Sequence, residues 1–482
     1  MKFLRLAVTT LRLAMMRIGP GWMFGLLTFN FNRIAVHDLG ALAIIVASLV
    51  GLHHFLSPLQ VFLGHLTDRY PLFGYRRSPA ILASGLLGAL VFLMLPRLAL
   101  ELGNHSSVLE QWAHGVARWV GRDSSASAFP PLASLIPSLG VVMLAFGLFV
   151  LFGVAIAANG NSAAALVAEV VEEQQRGPVF VVVWLSMIFT SIASAGIAKT
   201  VLPAYDPQMM QTLYNLTLPI VLVSTLVGLV GMERRISHEE HAALMNQPGE
   251  EARAGGSFTL FRHLLKTNPH IASFFFFLLL SIFGIFLQDA ILEIFGAEVF
   301  GMSLKETTSF TQSWGGGMLV GIVLILVVVR FSPIPRKTIA TLGGLGIALS
   351  LSLIAMSALT RTPSFVTPGL FLFGVSTGLF NVGALSLMID MSVEGYTGFY
   401  MGMWGLAQGL GNGLANVVSG GFHTLFIRQG VLSPPLAYGI IYGFEAMVMV
   451  LAVVVLQGLS LHDFKKLSTN DIETALTFET AT

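Results

Sequence analysis

Residues 136–160 read IPSLGVVMLAFGLFVLFGVAIAANG, with no Asp, Glu, Lys or Arg among them. An α-helix rises 1.5 Å per residue, so about 20 apolar residues cross the ~30 Å hydrocarbon core of a bilayer. This stretch is long enough to cross, and it is not alone. Similar runs fill 14–36, 40–64, 79–99, 178–201 and 212–232, then 269–294, 307–330, 338–359, 364–389, 398–421 and 435–459. Together they predict an all-α membrane protein of about twelve spans in two pseudo-symmetric six-helix bundles. The expected divisions are an N-terminal cytoplasmic or interfacial segment, 1–13, a first bundle, 14–232, a cytoplasmic linker, 233–268, a second bundle, 269–460, and a cytoplasmic tail, 461–482.

The composition agrees. Hydrophobic residues make up 55% of the 482 and charged residues 11%, against about 25% charged in a soluble globular protein. A net charge of +1, with the bases at the ends of apolar runs, excludes a nucleic-acid partner. Cysteine is absent, which rules out disulfides, thiolate metal sites and redox dithiols. Cationic loops resist translocation, and placing both termini in the cytoplasm puts 18 of the 26 bases inside and 8 outside. Lys2, Arg5, Thr9 and Arg12 recur at helical spacing beside Phe3, Leu4, Leu6, Val8 and Leu11, which suits a helix in the headgroup plane; an extension of the first span is the alternative. The loop 101–135, with Trp112 and Trp119, reads either as a surface helix or as an inert insertion. Gly405, Gly409 and Gly413 lie on one face of span eleven, a spacing that lets a neighbouring backbone approach, and Gln408, Asn412 and Asn416 form a polar row beside them.

After span two come Gly64, His65, Leu66, Thr67, Asp68 and Arg69, then Gly74, Tyr75, Arg76 and Arg77. This loop resembles the signature between spans two and three of the major facilitator superfamily. A carboxylate at Asp68 suits the positive N-terminal end of a helix such as span eleven, and the arginines suit Glu169, Glu172 and Glu173; such contacts would latch the two halves. Two longer stretches are more specific. One runs from Gln288, Asp289 and Glu293 through Gly296, Glu298 and Gly301 to Glu306, Thr307, Thr308 and Trp314. The other runs from Gly374, Gly378, Asn381, Gly383 and Asp390 to Gly398, Gly402, Trp404, Gly405 and Gln408. With Asn32–Arg33 at the end of span one, these resemble the bacteriochlorophyll-delivery family of that superfamily, the PucC and LhaA type of light-harvesting assembly proteins. Ile294–Phe295 stand where that family usually has Pro-Tyr.

The resemblance implies a major facilitator fold, bacteriochlorophyll or chlorophyll as bound cargo, antenna polypeptides as partners and pigment-synthesis enzymes as further candidate partners. It also implies a photosynthetic or intracytoplasmic inner membrane. The residues supply their own candidates, because an ionisable group inside a span costs ~2.5–3.5 kcal/mol to insert. Arg33 is expected to pair with Asp289 or Glu293 and close the outer mouth, or else to fix helix register as a static pair. His53 and His54 lie within span two, and a neutral imidazole can ligate a chlorin magnesium axially; with Asn381, Trp404, Gln408 and Asn412 they are the candidate pigment and cleft residues. No nucleophile with its base, phosphate-cradling loop or metal-spaced cluster is evident, so neither enzymatic activity nor a protein-held metal is expected. The rival reading is a proton-coupled secondary transporter of a small solute, in which Asp289, Glu293 or Asp390 carries the proton.

Overall fold

The computed structural model describes residues 2–120, 130–236, 269–391 and 397–459, and these are almost wholly helical. Nine helices among the described residues are long and apolar enough to cross a membrane. They are Ser78–Asn104, Leu132–Val170, Glu173–Val201, Pro207–Leu229, Pro269–Ala290, Leu304–Phe331, Arg336–Thr360, Pro363–Met388 and Pro434–Gln457. Their outward faces are aliphatic: Val320, Val323, Leu324 and Val327 on span eight and Leu342, Leu345 and Leu349 on span nine are exposed. So much contiguous apolar surface is tolerable only against lipid. The chain is a multi-pass membrane protein.

The other three expected spans are helical but irregular. Span one runs from Ile18–Gly25 into two wide π-helical stretches, Leu26–Phe31 and Ile34–Asp38. Span two is divided at Ser57–Pro58 into Ala43–Phe55 and Leu59–Arg69, because proline lacks the N–H that an unbroken helix needs there. Span eleven, Thr397–His423, is diluted by glycine, Gln408 and Asn412.

The chain packs as two compact units. The first comprises Met1–Ile236, Asp289–Gln312 and Asn416–Ala437, and the second Ser237–Gln288, Ser313–Ala415 and Tyr438–Thr482. In the first, Trp22, Phe29, Phe31, Phe92, Phe149, Phe152 and Tyr214 are fully buried, and Phe92 stacks on Tyr214 with centroids 5.9 Å apart. The Trp22 indole donates to Thr217 at 3.0 Å, fixing span one against span six. The N-terminal helix, Lys2–Met15, turns Leu4, Val8 and Leu11 outward and packs Leu13 and Ala14 inward. Its Arg12 donates to the Val227 and Val230 carbonyls that close span six. A surface helix, Ser106–Val120, fills part of the loop 101–135.

The second unit is built on glycine contacts. Gly317 and Gly321 of span eight lie against Phe371 and Val375 of span ten, while Gly374 and Gly378 of span ten lie against Trp314 and Met318 of span eight. A Cβ at Gly374 would stand 2.8 Å from the Met318 nitrogen, and one at Gly321 2.9 Å from the Val375 Cα, so the two backbones touch directly. At Gly405, by contrast, an added Cβ would meet no described atom within 4 Å, which corrects the expectation of a close approach at that position. Phe274, Phe275 and Phe277 are buried and Phe276 is exposed, as a continuous run on a helix must divide.

Candidate functional site

Arg33 stands between the two π-helical stretches of span one and is 3% exposed. Its guanidinium pairs with Asp38 at 2.6 Å. The expected partner was Asp289 or Glu293; at ion-pair distance Arg33 has Asp38 instead, while its charge still acts on the Glu293 carboxyl, and the backbone supplies the reason. Leu39 N–H bonds to the Ile34 carbonyl at 2.9 Å, a five-residue step that lays residue i+5 over residue i, where an α-helix lays i+4. Arg33 and Asp38 are five apart and so share a face. Glu293, also 3% exposed, accepts instead from the Thr311 hydroxyl at 3.3 Å. Span one still meets span seven here, because the Asn32 amide donates to the Ala290 carbonyl. Two residues earlier, Asn30 is fully buried and neither amide atom has a hydrogen-bond partner among the described residues.

At the same end, a cavity of about 210 Å³ is lined by Val36, Ala41, Ala43, Glu298, His423, Ile427 and Arg428. The His423 Nε2 lies 3.1 Å from both Glu298 carboxylate oxygens, and Arg428 pairs with Glu110 of the surface helix.

The opposite end carries the signature loop. Gly64 lies within Leu59–Arg69 against the Asn161 side chain, while the side chains of Asp68 and Arg69 lie outside the described residues. Gly74 takes φ +81°, open to glycine at no steric cost, in a turn closed by paired Leu72–Tyr75 backbone bonds. Arg77 meets Glu169 at 3.0 Å and Arg76 meets it at 3.8 Å, contacts that tie span three to span four within the first unit. Sequence reasoning missed Glu233. Its carboxylate accepts the backbone N–H groups of Arg76, Arg77 and Ser78 at 2.7, 2.8 and 2.7 Å, capping the positive start of span three. The available signal was an acid at the first polar position after span six.

His53 is 7% exposed, with its ring 5.2 Å from Phe24, 5.7 Å from Phe152 and 3.8 Å from the more accessible His54. Its Nδ1 lies 2.7 Å from the Val50 carbonyl, which can only accept, so Nδ1 carries the proton and the Nε2 lone pair has no partner among the described residues. In the second unit, Trp404, Gln408 and Asn412 follow one face of span eleven. Gln408 is exposed, Asn412 buried, and Asn381 on span ten half-buried. Glu445, fully buried, accepts the Gln288 N–H at 2.8 Å, and Asp390 pairs with Arg336. Arg17, a base that the positive-inside pattern assigns to the cytoplasmic side, is a second site residue that sequence reasoning missed. Its guanidinium enters the first bundle and donates to the Asn159 side-chain oxygen at 3.3 Å.

This helical architecture is that of the major facilitator transporters. The nucleoside transporter NupG is similar over 93% of the chain and 98% of its own length, with a TM-score of 0.64 at 14% identity. The xylose transporter XylE from E. coli, in a partially occluded inward-open conformation, gives 0.57 at 14% identity over 93% of the chain and 97% of its own. The family model described as PUCC protein matches residues 30–133 and 130–464, and the chain belongs to that family. Among relatives, the Bacteriochlorophyll synthase 44.5 kDa chain of Rhodobacter capsulatus is 27% identical over 93% of this chain and 94% of its own. Protein PucC of Cereibacter sphaeroides is 25% identical over 92% and 90%.

Proposed function

We propose that this protein is a membrane assembly factor that holds bacteriochlorophyll or chlorophyll as cargo and assists its delivery to light-harvesting antenna polypeptides. The observation that carries the reading is the family match across both halves, 30–464, joined to near full-length similarity to a relative named for bacteriochlorophyll. The His53 tautomer supports it, since an axial ligand of magnesium needs an imidazole nitrogen with a free lone pair. Phe24 and Phe152 crowd that ring, so His54 beside it is the imidazole a macrocycle reaches first. The work is hand-over rather than catalysis, and the word synthase belongs to the relative's name. Basic loops and termini on the cytoplasmic side of a photosynthetic inner membrane complete the reading.

Purification from a pigment-producing host in mild detergent tests it: a stoichiometric red chlorin band is expected, and His53→Ala with His54→Ala should reduce it. A colourless protein from such a host removes the cargo, and an unchanged band in the double variant removes the histidines. A second reading, proton-coupled transport of a small solute, is favoured by Glu293, a buried carboxyl whose described partner is a hydroxyl. Uptake into vesicles driven by a pH gradient, and lost in Glu293→Gln, would select it.

A further inference from the structure

A cation placed inside a helical bundle normally has a carboxylate beside it, because an unpaired buried charge is strongly destabilising. Arg33 has Asp38 and Arg77 has Glu169. Arg17 differs. It sits at the junction between the surface helix Lys2–Met15 and the first turn of span one, Ile18–Gly25, and its side chain runs inward. Its described partners are two: Nη1 donates to Asn159 Oδ1 at 3.3 Å and Nη2 points to the Met187 sulfur at 3.3 Å. The first contact is long, a thioether is a weak acceptor, and no carboxylate among the described residues pairs with it. Three of the five guanidinium donors are left over, yet the residue keeps part of its surface accessible.

The surroundings hold the guanidinium in place. Asn159, 2% exposed, donates its amide to the Ile81 carbonyl at 3.2 Å and to Ser84 at 3.4 Å, which turns its oxygen towards Arg17. Ile81 lies in the first turn of span three, at the end of the bundle where the linker attaches. Arg17 therefore sits about one turn inside that end. The adjoining helix, with Leu4, Val8 and Leu11 outward and Arg5 beside them, has the pattern that suits the depth at which headgroups meet acyl chains.

We propose that Arg17, oriented by Asn159, binds the single oxyanion headgroup, carboxylate or phosphate, of an amphiphile entering from the leaflet at the linker end. The planar fork of a guanidinium matches two oxygens of either group and supplies the missing counter-charge. Asn159 is a positioning residue, since its amide is committed to Ile81 and Ser84. The site lies within the first unit and does not depend on the pigment reading.

The test is equilibrium binding of radiolabelled phosphatidylglycerol and, separately, oleate to the delipidated full-length protein in neutral detergent, with diacylglycerol as the uncharged control. Saturable one-to-one binding of at least one anionic probe and none of the control is expected. Arg17→Gln should weaken it by about tenfold or more, the scale of a charge-assisted hydrogen-bond pair. Arg5→Gln should leave it unchanged. Phosphatidylglycerol binding alone assigns the site to lipid phosphate, and oleate binding alone to a carboxylate amphiphile. Failure of the wild type to bind either probe, or Arg17→Gln binding like wild type, overturns the proposal. Equal affinity for inorganic phosphate overturns the amphiphile assignment. If Arg17→Gln does not elute as folded protein, Asn159→Leu carries the test: it keeps the charge, removes the orienting oxygen and should lower affinity several-fold, and wild-type affinity there counts against the site.

Discussion

Arg33 and Asp38 show how a side-chain pairing can be lost between sequence and structure. The apolar surroundings of Arg33 announce that it needs a partner, and Asp289 and Glu293 are reasonable choices if span one is an ideal α-helix. The π-helical step is invisible in the residue string, and it delivers Asp38 instead. Asp38→Ala is expected to strand the buried guanidinium and cost about 3 kcal/mol, read as a lower melting temperature in detergent; Arg33→Met with Asp38→Ala should recover most of it. A single variant that melts like wild type would mean that another carboxylate, Glu293 in the first place, takes over. Glu233 makes a smaller claim. With three backbone N–H groups on one carboxylate, Glu233→Ala should cost about 1–2 kcal/mol by freeing the start of span three, measured in the same way.

Among the helices, glycine spacing is abundant in the sequence and its meaning is not. Gly405, Gly409 and Gly413 have the same four-residue rhythm as Gly317 with Gly321 and Gly374 with Gly378, but only a neighbour at van der Waals distance turns that rhythm into packing. Spans eight and ten supply such neighbours to one another, and at Gly405 no described atom does so. Gly378→Leu is therefore expected to prevent recovery of folded, monodisperse protein, because its side chain would have to displace the Met318 backbone. Gly405→Ala should be neutral or stabilising by up to about 1 kcal/mol through helix propensity alone. Thermal unfolding of the two variants decides the matter: equal damage from both would remove the distinction between a packed and an open glycine.

For the whole molecule, hydropathy was sufficient. Twelve apolar runs in two sets were legible because lipid demands a full-length helix wherever the chain crosses, and nine such helices stand intact among the described residues. The first, second and eleventh runs were also legible as crossings, but their interruptions were not, since Ser57–Pro58, the π-helical turns and the glycines change the path without changing the mean hydropathy. The orientation rests on Lys and Arg bias and is open to direct test. The chain has no cysteine, so Ser332→Cys and Ser433→Cys, both exposed, can be labelled without background. A membrane-impermeant thiol reagent should reach the second in cells with a permeabilised outer membrane and the first only in inverted vesicles; the reverse pattern would invert the topology.

The hold of Arg12 on span six also sets an order of events during synthesis. Its carbonyl partners lie 215 and 218 residues further along the chain, so at ~5–20 residues per second the ribosome takes on the order of 10–45 s to make them. Through that interval Leu13 can already pack on spans three to five, but the Arg12 clasp stays open. Span six closes it last, so truncating this helix should delay maturation before it changes the finished fold.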